Sequence, residues 1–187
     1  PRKERAIIIP HRPDMSRSVP TESLMELSKV SFQRWDGKED ISLRNDIFVI
    51  GGAGIIDIAF ADGKPIVNAH PGIIPLTRGL DSFKWAIYNN DPIGNTLHLI
   101  DNEVDKGEIL QIKHTPVFAS DSLETLARRH YENEIDMLAN ALDFIDSRIV
   151  PTDFENPATP RMSTEVESKV VSYFEEWKLK MAKMKTY

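Results

Sequence analysis

The hydrophobic pattern changes period several times along the chain, and each change marks an element. Ala6-Ile7-Ile8-Ile9 is a β-branched run closed by Pro10, which predicts a buried strand. Residues 20–27, with Leu24, Met25 and Leu27, read as a helix, and Val30, Phe32 and Trp35 predict a strand over 30–35. The apolar run over 46–50 enters Gly51-Gly52-Ala53-Gly54 without alternating, the pattern of a strand buried on both faces in a parallel sheet. Residues 65–70 form a short strand that runs into Pro71-Gly72, and Leu80, Phe83, Ala86 and Ile87 share one face of a helix over 80–89.

Two further strands follow, over 94–100 and 109–117, separated by an acidic loop at 101–108. Leu123, Leu126, Ala127, Tyr131, Ile135, Leu138 and Leu142 make a long amphipathic stripe, with Asp121 and Glu124 resembling a capping box at its start. The stretch after Pro151, through Pro157 and Pro160, reads as a linker. A last helix opens at Thr164 with Glu167 and puts Val166, Val170, Phe174 and Trp177 on one side. That face suits packing on its own domain; the alternative is a homodimer interface through the C-terminal helix. The whole reads as α/β, with a catalytic domain at 1–150 and a linker plus amphipathic helix at 151–187.

Composition narrows the chemistry. A chain of 187 residues with ordinary apolar and charged fractions suits a soluble globular domain, expected in the cytoplasm. With no cysteine, disulfides, thiolate metal sites and Cys nucleophiles are excluded, and no metal is expected. The net charge of −6 gives the chain no general electrostatic reason to bind nucleic acid. The basic stretch from Lys178 to Lys185 reads as a solvated helix end complementing the helix dipole. Apolar runs long enough to span a bilayer are lacking. The turn after the first strand carries no dinucleotide fingerprint, and the glycines at 51–54 do not match its spacing.

The candidate chemistry sits in Asn68-Ala69-His70-Pro71-Gly72. On an extended segment Asn68 and His70 point to the same side. An imidazole can take or give a proton near neutral pH, and an amide NH₂ can stabilise an oxyanion, so the pair suits acyl transfer. Read alone, His70 beside Pro71 also fits a packing or loop residue.

The segment 68–79, ending in Arg78-Gly79, is followed by Gly94-Asn95-Thr96-Leu97-His98 and by Asp105-Lys106-Gly107-Glu108-Ile109. In order and spacing, over residues 46–148, these motifs resemble the formyltransferase family, whose pattern reads N-x-H-P-S/G, apolar pair, P and R-G, then G-x-T-x-H, then D-x-G-x-I. That family includes glycinamide ribonucleotide, methionyl-tRNA and nucleotide-amino-sugar formyltransferases. The resemblance implies a Rossmann-like, mostly parallel sheet flanked by helices, here with an extra C-terminal helix. It also implies N10-formyltetrahydrofolate as formyl donor and an Asn–His–Asp set at Asn68, His70 and Asp105. A carboxylate near His70 is expected to raise its pKa and favour a charged imidazole that donates to the formyl oxygen.

Thr96 and His98 are supporting candidates, Thr96 to hold a water or position Asp105, His98 with a structural role as its alternative. The folate pocket is expected at Gly54, Ile55 and Ile56 and at Asn102, Glu103 and Val104, with Ile55 and Ile56 equally readable as core. Arg78 and Gly79 are candidates for substrate binding, and local pairing is the other reading of Arg78.

The opening βα unit usual in the family is missing from this sequence, so the chain is expected either to begin inside a longer one or to be a reduced version. The tail is too short for the tRNA-contacting barrel of methionyl-tRNA members. Arg78-Gly79 is closer to sugar and tRNA members than to purine ones. A nucleotide-linked amino sugar is therefore the expected amine acceptor. Glycinamide ribonucleotide or methionyl-tRNA transfer, formyltetrahydrofolate hydrolysis, and a non-catalytic folate-binding fragment of a larger chain are the alternatives.

Overall fold

The computed structural model describes residue 9 and residues 18–36, 40–41, 46–52, 56–152 and 157–184. The strand expected at 6–9 falls outside these residues apart from Ile9, and so do the pocket candidates Gly54 and Ile55. Four strands form one sheet in the order β1 (Phe48–Ile50), β2 (Ile66–His70), β3 (Gly94–Leu99) and β4 (Ile109–His114). Four α-helices accompany it, α1 (Thr21–Leu27), α2 (Ser82–Asn89), α3 (Leu123–Ala139) and α4 (Thr164–Lys183), with short 3-10 turns at Ile58–Ala61 and Ala141–Phe144.

The α/β class expected from the alternating pattern is what forms. Only β1 and β2 pair in parallel, however; β2–β3 and β3–β4 are antiparallel. The parallel character expected of the sheet thus holds on one side of β2 among the described residues. The short return from β3 through the 101–108 loop is too brief for the crossover that a parallel neighbour requires. β1 is also less covered than its apolar run predicted, with Val49 46% exposed. Residues 30–36 form no strand; Trp35 instead packs its ring 5.1 Å from that of Phe60.

Alternation along β2 sorts its side chains. Val67 and Ala69 join Leu97, Leu110 and Met137 in a core between the sheet and α3. Asn68 and His70 therefore point from the opposite face, opposite His98 and Thr96 in the ladder. A second core gathers Phe83, Ala86 and Ile87 of α2, Leu126 and Ala127 of α3, and Val170, Phe174, Trp177 and Met181 of α4. The apolar face of α4 is thus occupied by this chain's own helices. Burying each such large apolar side chain contributes about 1.5–3 kcal/mol, so α4 is a substantial part of the fold's stability.

Helix starts differ by a residue from the expected caps. The capping box of α3 is Ser122 with Thr125, not Asp121 with Glu124, because Asp121 turns its carboxylate to Arg129. For α4 the cap is Ser163, whose side chain accepts from Val166 N. Glu167 is fully buried and pairs with Lys84 Nζ at 2.7 Å, while also accepting from Ile9 N at 3.0 Å. This buried pair ties α4 to α2. The α3 stripe is also rotated: His130 and Glu134 are buried, whereas Ile135 and Leu142 are exposed. His130 is held inside by Thr115 Oγ1, 2.8 Å from its Nδ1.

Candidate active site

Three segments converge on the Asn68–His70 face of the sheet. β2 brings Asn68 and His70, β3 brings Thr96 and His98, and the turn between β3 and β4 brings Asp105. That turn lies tight against β3. A Cβ on Gly107 would sit 1.8 Å from Leu99 O, so only glycine lets the turn close this far. Asp105 itself adopts a left-handed backbone, φ 51°, which aims its carboxylate back over the sheet.

Asp105 Oδ2 is 3.4 Å from His70 Nδ1, and its Oδ1 is 3.8 Å from His98 Nε2. The carboxylate is fixed from the other side by Gly79 N, which donates to Oδ2 at 2.7 Å. Arg78 Nη1 donates to Val104 O at 3.0 Å, so Arg78 and Gly79 both clasp the Asp105 turn. The segment expected to be a linker braces that loop from outside: Thr159 N donates to Arg78 O at 2.8 Å and Leu80 N to Thr159 O at 2.9 Å. Gly79, φ 96°, leaves no room for a Cβ, which would stand 2.6 Å from Thr159 N.

Proton positions follow from which partners can only accept. His70 Nε2 is 3.1 Å from the Thr77 carbonyl and 3.1 Å from Ser82 Oγ. A carbonyl accepts only, so Nε2 carries a hydrogen. The Ser82 hydroxyl donates onward to Gly79 O at 3.0 Å and can accept from the imidazole. Nδ1 is then the nitrogen of His70 that gains or loses a proton, and it faces Asp105. Burial pushes the His70 pKa below its usual 6.5, outweighing Asp105 and the Thr77 carbonyl, which raise it. The expected upward shift is thereby corrected. Asp105 acts in the expected direction, but His70 is 4% exposed and the loss of solvent wins.

His98 donates from Nδ1 to Leu99 O at 2.9 Å, which leaves the Nε2 lone pair for the Asn68 amide. Burial first, and then the nearby His70, hold the His98 pKa down to about 4. Thr96 does not reach Asp105. Its hydroxyl donates to Gly72 O at 2.7 Å and accepts from Ile74 N at 3.0 Å, bracing the loop that follows His70.

The remaining pocket candidates are more open. Asn102, Glu103 and Val104 are exposed on the turn, and Ile56 is half-buried. Lys106 pairs with Glu103 and, by hydrogen bond and charge, holds its carboxyl below the usual range. Sequence reasoning missed Thr77 and Ser82, whose contacts with His70 depend on a loop folding back. Among the described residues no group of three His, Asp or Glu side chains is placed to hold a metal ion, and no helix is long and apolar enough to cross a membrane.

Residues 56–142 match the formyl transferase family. This segment contains every member of the Asn68–His70–His98–Asp105 cluster. The phosphoribosylglycinamide formyltransferase of Haemophilus influenzae is 36% identical over 98 residues, covering 50% of this chain and 46% of that protein. The chain therefore spans less than half the length of that curated relative. A sugar N-formyltransferase from Shewanella sp. FDAARGOS_354 superposes with a TM-score of 0.59 at 21% identity, covering 87% of this chain and 73% of the other. A formyltransferase from Anoxybacillus kamchatkensis, solved with UDP-4,6-dideoxy-4-formamido-L-AltNAc and tetrahydrofolate, gives a TM-score of 0.57 at 19% identity over 81% of this chain and 85% of the other. The formyltransferase fold is shared with both solved structures.

Proposed function

We propose that this protein moves a formyl group from N10-formyltetrahydrofolate to the amine of a nucleotide-linked amino sugar. The observation that carries the reading is the placement of His70 Nδ1 3.4 Å from Asp105 Oδ2, beside an Asn68 amide oriented by His98. The amine nitrogen attacks the formyl carbon, and charge develops on the formyl oxygen. Asn68 donates its second amide N–H to that oxygen. His70, neutral at the start because burial lowers its pKa, accepts the amine proton at Nδ1. Asp105 stabilises the imidazolium so formed, and the proton passes to the folate nitrogen as its bond to the formyl carbon breaks.

The solved sugar formyltransferases of the same fold support an amino-sugar acceptor, and the net charge of −6 argues against tRNA. Tetrahydrofolate in the Anoxybacillus complex supports the donor. The 36% identity to a phosphoribosylglycinamide formyltransferase favours glycinamide ribonucleotide as the second reading. Parallel assays with a UDP-linked amino sugar and glycinamide ribonucleotide, each at limiting concentration, separate the two. A higher kcat/KM for the sugar supports the first reading, and a higher value for the ribonucleotide replaces it.

A further inference from the structure

We infer that Ser82, at the start of α2, is a positioning residue that fixes the protonated edge of His70 and so dedicates Nδ1 to proton transfer. The inference rests on the proposed role of His70.

Ser82 is 1% exposed, and its Oγ lies 3.1 Å from His70 Nε2 and 3.0 Å from Gly79 O. Its single hydrogen has one consistent destination. Were it given to Nε2, that nitrogen would present a lone pair to Thr77 O at 3.1 Å, a repulsive contact. The hydroxyl therefore donates to Gly79 O and accepts from the imidazole, sharing the Nε2 hydrogen with Thr77 O. The same Gly79 donates its N–H to Asp105 Oδ2 at 2.7 Å. One residue thus connects the partner of Nε2 to the partner of Nδ1, so that the ring and the carboxylate are held in register.

Room for this arrangement comes from Gly72. A Cβ there would stand 2.7 Å from His70 Nε2, 2.9 Å from Ser82 Cβ and 2.4 Å from Thr77 O. The ring edge, the serine and the carbonyl fill the volume that a side chain at 72 would need. An acceptor on Nε2 stabilises the charged imidazole more than the neutral one, so removing it lowers the affinity of Nδ1 for a proton. Asp105 on the β3–β4 turn and His98 on β3 are the titratable groups facing His70 among the described residues.

The test combines ¹⁵N NMR of histidine-labelled protein with kinetics of Ser82→Ala. In the unsubstituted protein the neutral His70 is expected to carry its hydrogen on Nε2. Ser82→Ala is expected to lower kcat about five- to tenfold, to leave KM for both substrates within about twofold, and to move the His70 titration to lower pH. A wild-type signal showing the hydrogen on Nδ1 overturns the inference. So does a fall in kcat without movement of the titration, which marks packing alone, or an unchanged kcat. Should the protein transfer no formyl group at all, the functional reading fails, and the NMR comparison still decides the role of Ser82.

Discussion

Asn68 Nδ2 lies 3.3 Å from His98 Nε2 across the β2–β3 ladder, and one assignment of hydrogens makes that contact attractive. His98 gives its Nδ1 hydrogen to Leu99 O, so Nε2 accepts from the amide and fixes which way the amide faces. Asn68→Asp replaces the donor with a group that only accepts when ionised. The expected result is a fall in kcat of about 10²–10³-fold, the usual loss of one oxyanion donor, with a fold unchanged by circular dichroism. Retention of kcat within a few-fold would remove Asn68 from the mechanism.

The two site histidines make stability depend on pH. Both have folded-state pKa values below the usual 6.5, His98 at about 4. On acidification the unfolded chain takes up protons that the folded chain refuses. Stability is therefore complete above about 6.5 and falls as the pH drops toward about 4, at about 1.4 kcal/mol per pH unit for each histidine that stays neutral. Urea midpoints at pH 7.5 and at pH 5.5, above the usual carboxylate range, measure the slope. His98→Gln is expected to reduce it, and an equal slope in that variant contradicts the assignment.

The buried pair that anchors α4 predicts an asymmetric cost. Lys84→Ala takes the cation away from the fully buried Glu167, and is expected to destabilise the protein by about 3–5 kcal/mol. Glu167→Gln leaves Lys84 beside Asp81, 3.5 Å away, and costs less. Denaturant unfolding of both variants gives the comparison.

Gly107→Ala separates geometry from stability. The added carbon meets Leu99 O and must push out the turn that carries Asp105. A displacement of about 1 Å at that carboxylate is expected to lower kcat by on the order of 10²-fold. Ser82 and Thr77 still hold the other edge of His70 in that variant, so its ¹⁵N spectrum should retain the Nε2 hydrogen. Loss of that signal would mean that the turn, rather than Ser82, sets the tautomer.

Much of this arrangement was legible in the residues themselves. Period-two alternation put Asn68 and His70 on one face, and the motif order brought in His98 and Asp105. What stayed hidden depends on contacts distant in sequence. Lys84 and Glu167 are separated by 83 positions, and the apolar faces legible on α2 and α4 did not reveal that a charged pair is buried between them. The pKa of His70 was misjudged because a neighbouring carboxylate can be inferred from a motif, whereas exclusion of water depends on Ser82, Thr77 and Thr96 closing the loop. The direction of β3 was hidden for a similar reason: a strand buried on both faces looks alike in parallel and antiparallel pairs. The bracing of Gly79 by Thr159 joins a presumed linker to the site through backbone bonds that any sequence can make.

Formyl transfer through the His70–Asp105 pair is tested most directly with N10-formyltetrahydrofolate labelled at the formyl carbon. The protein is incubated with a panel of amines that includes UDP-linked amino sugars and glycinamide ribonucleotide, and products are read by mass spectrometry. One acceptor should gain about 28 mass units plus the label, the formyl increment, and His70→Ala should abolish that gain. An unlabelled panel, or a His70→Ala variant that labels as fast as the unsubstituted protein, would contradict it.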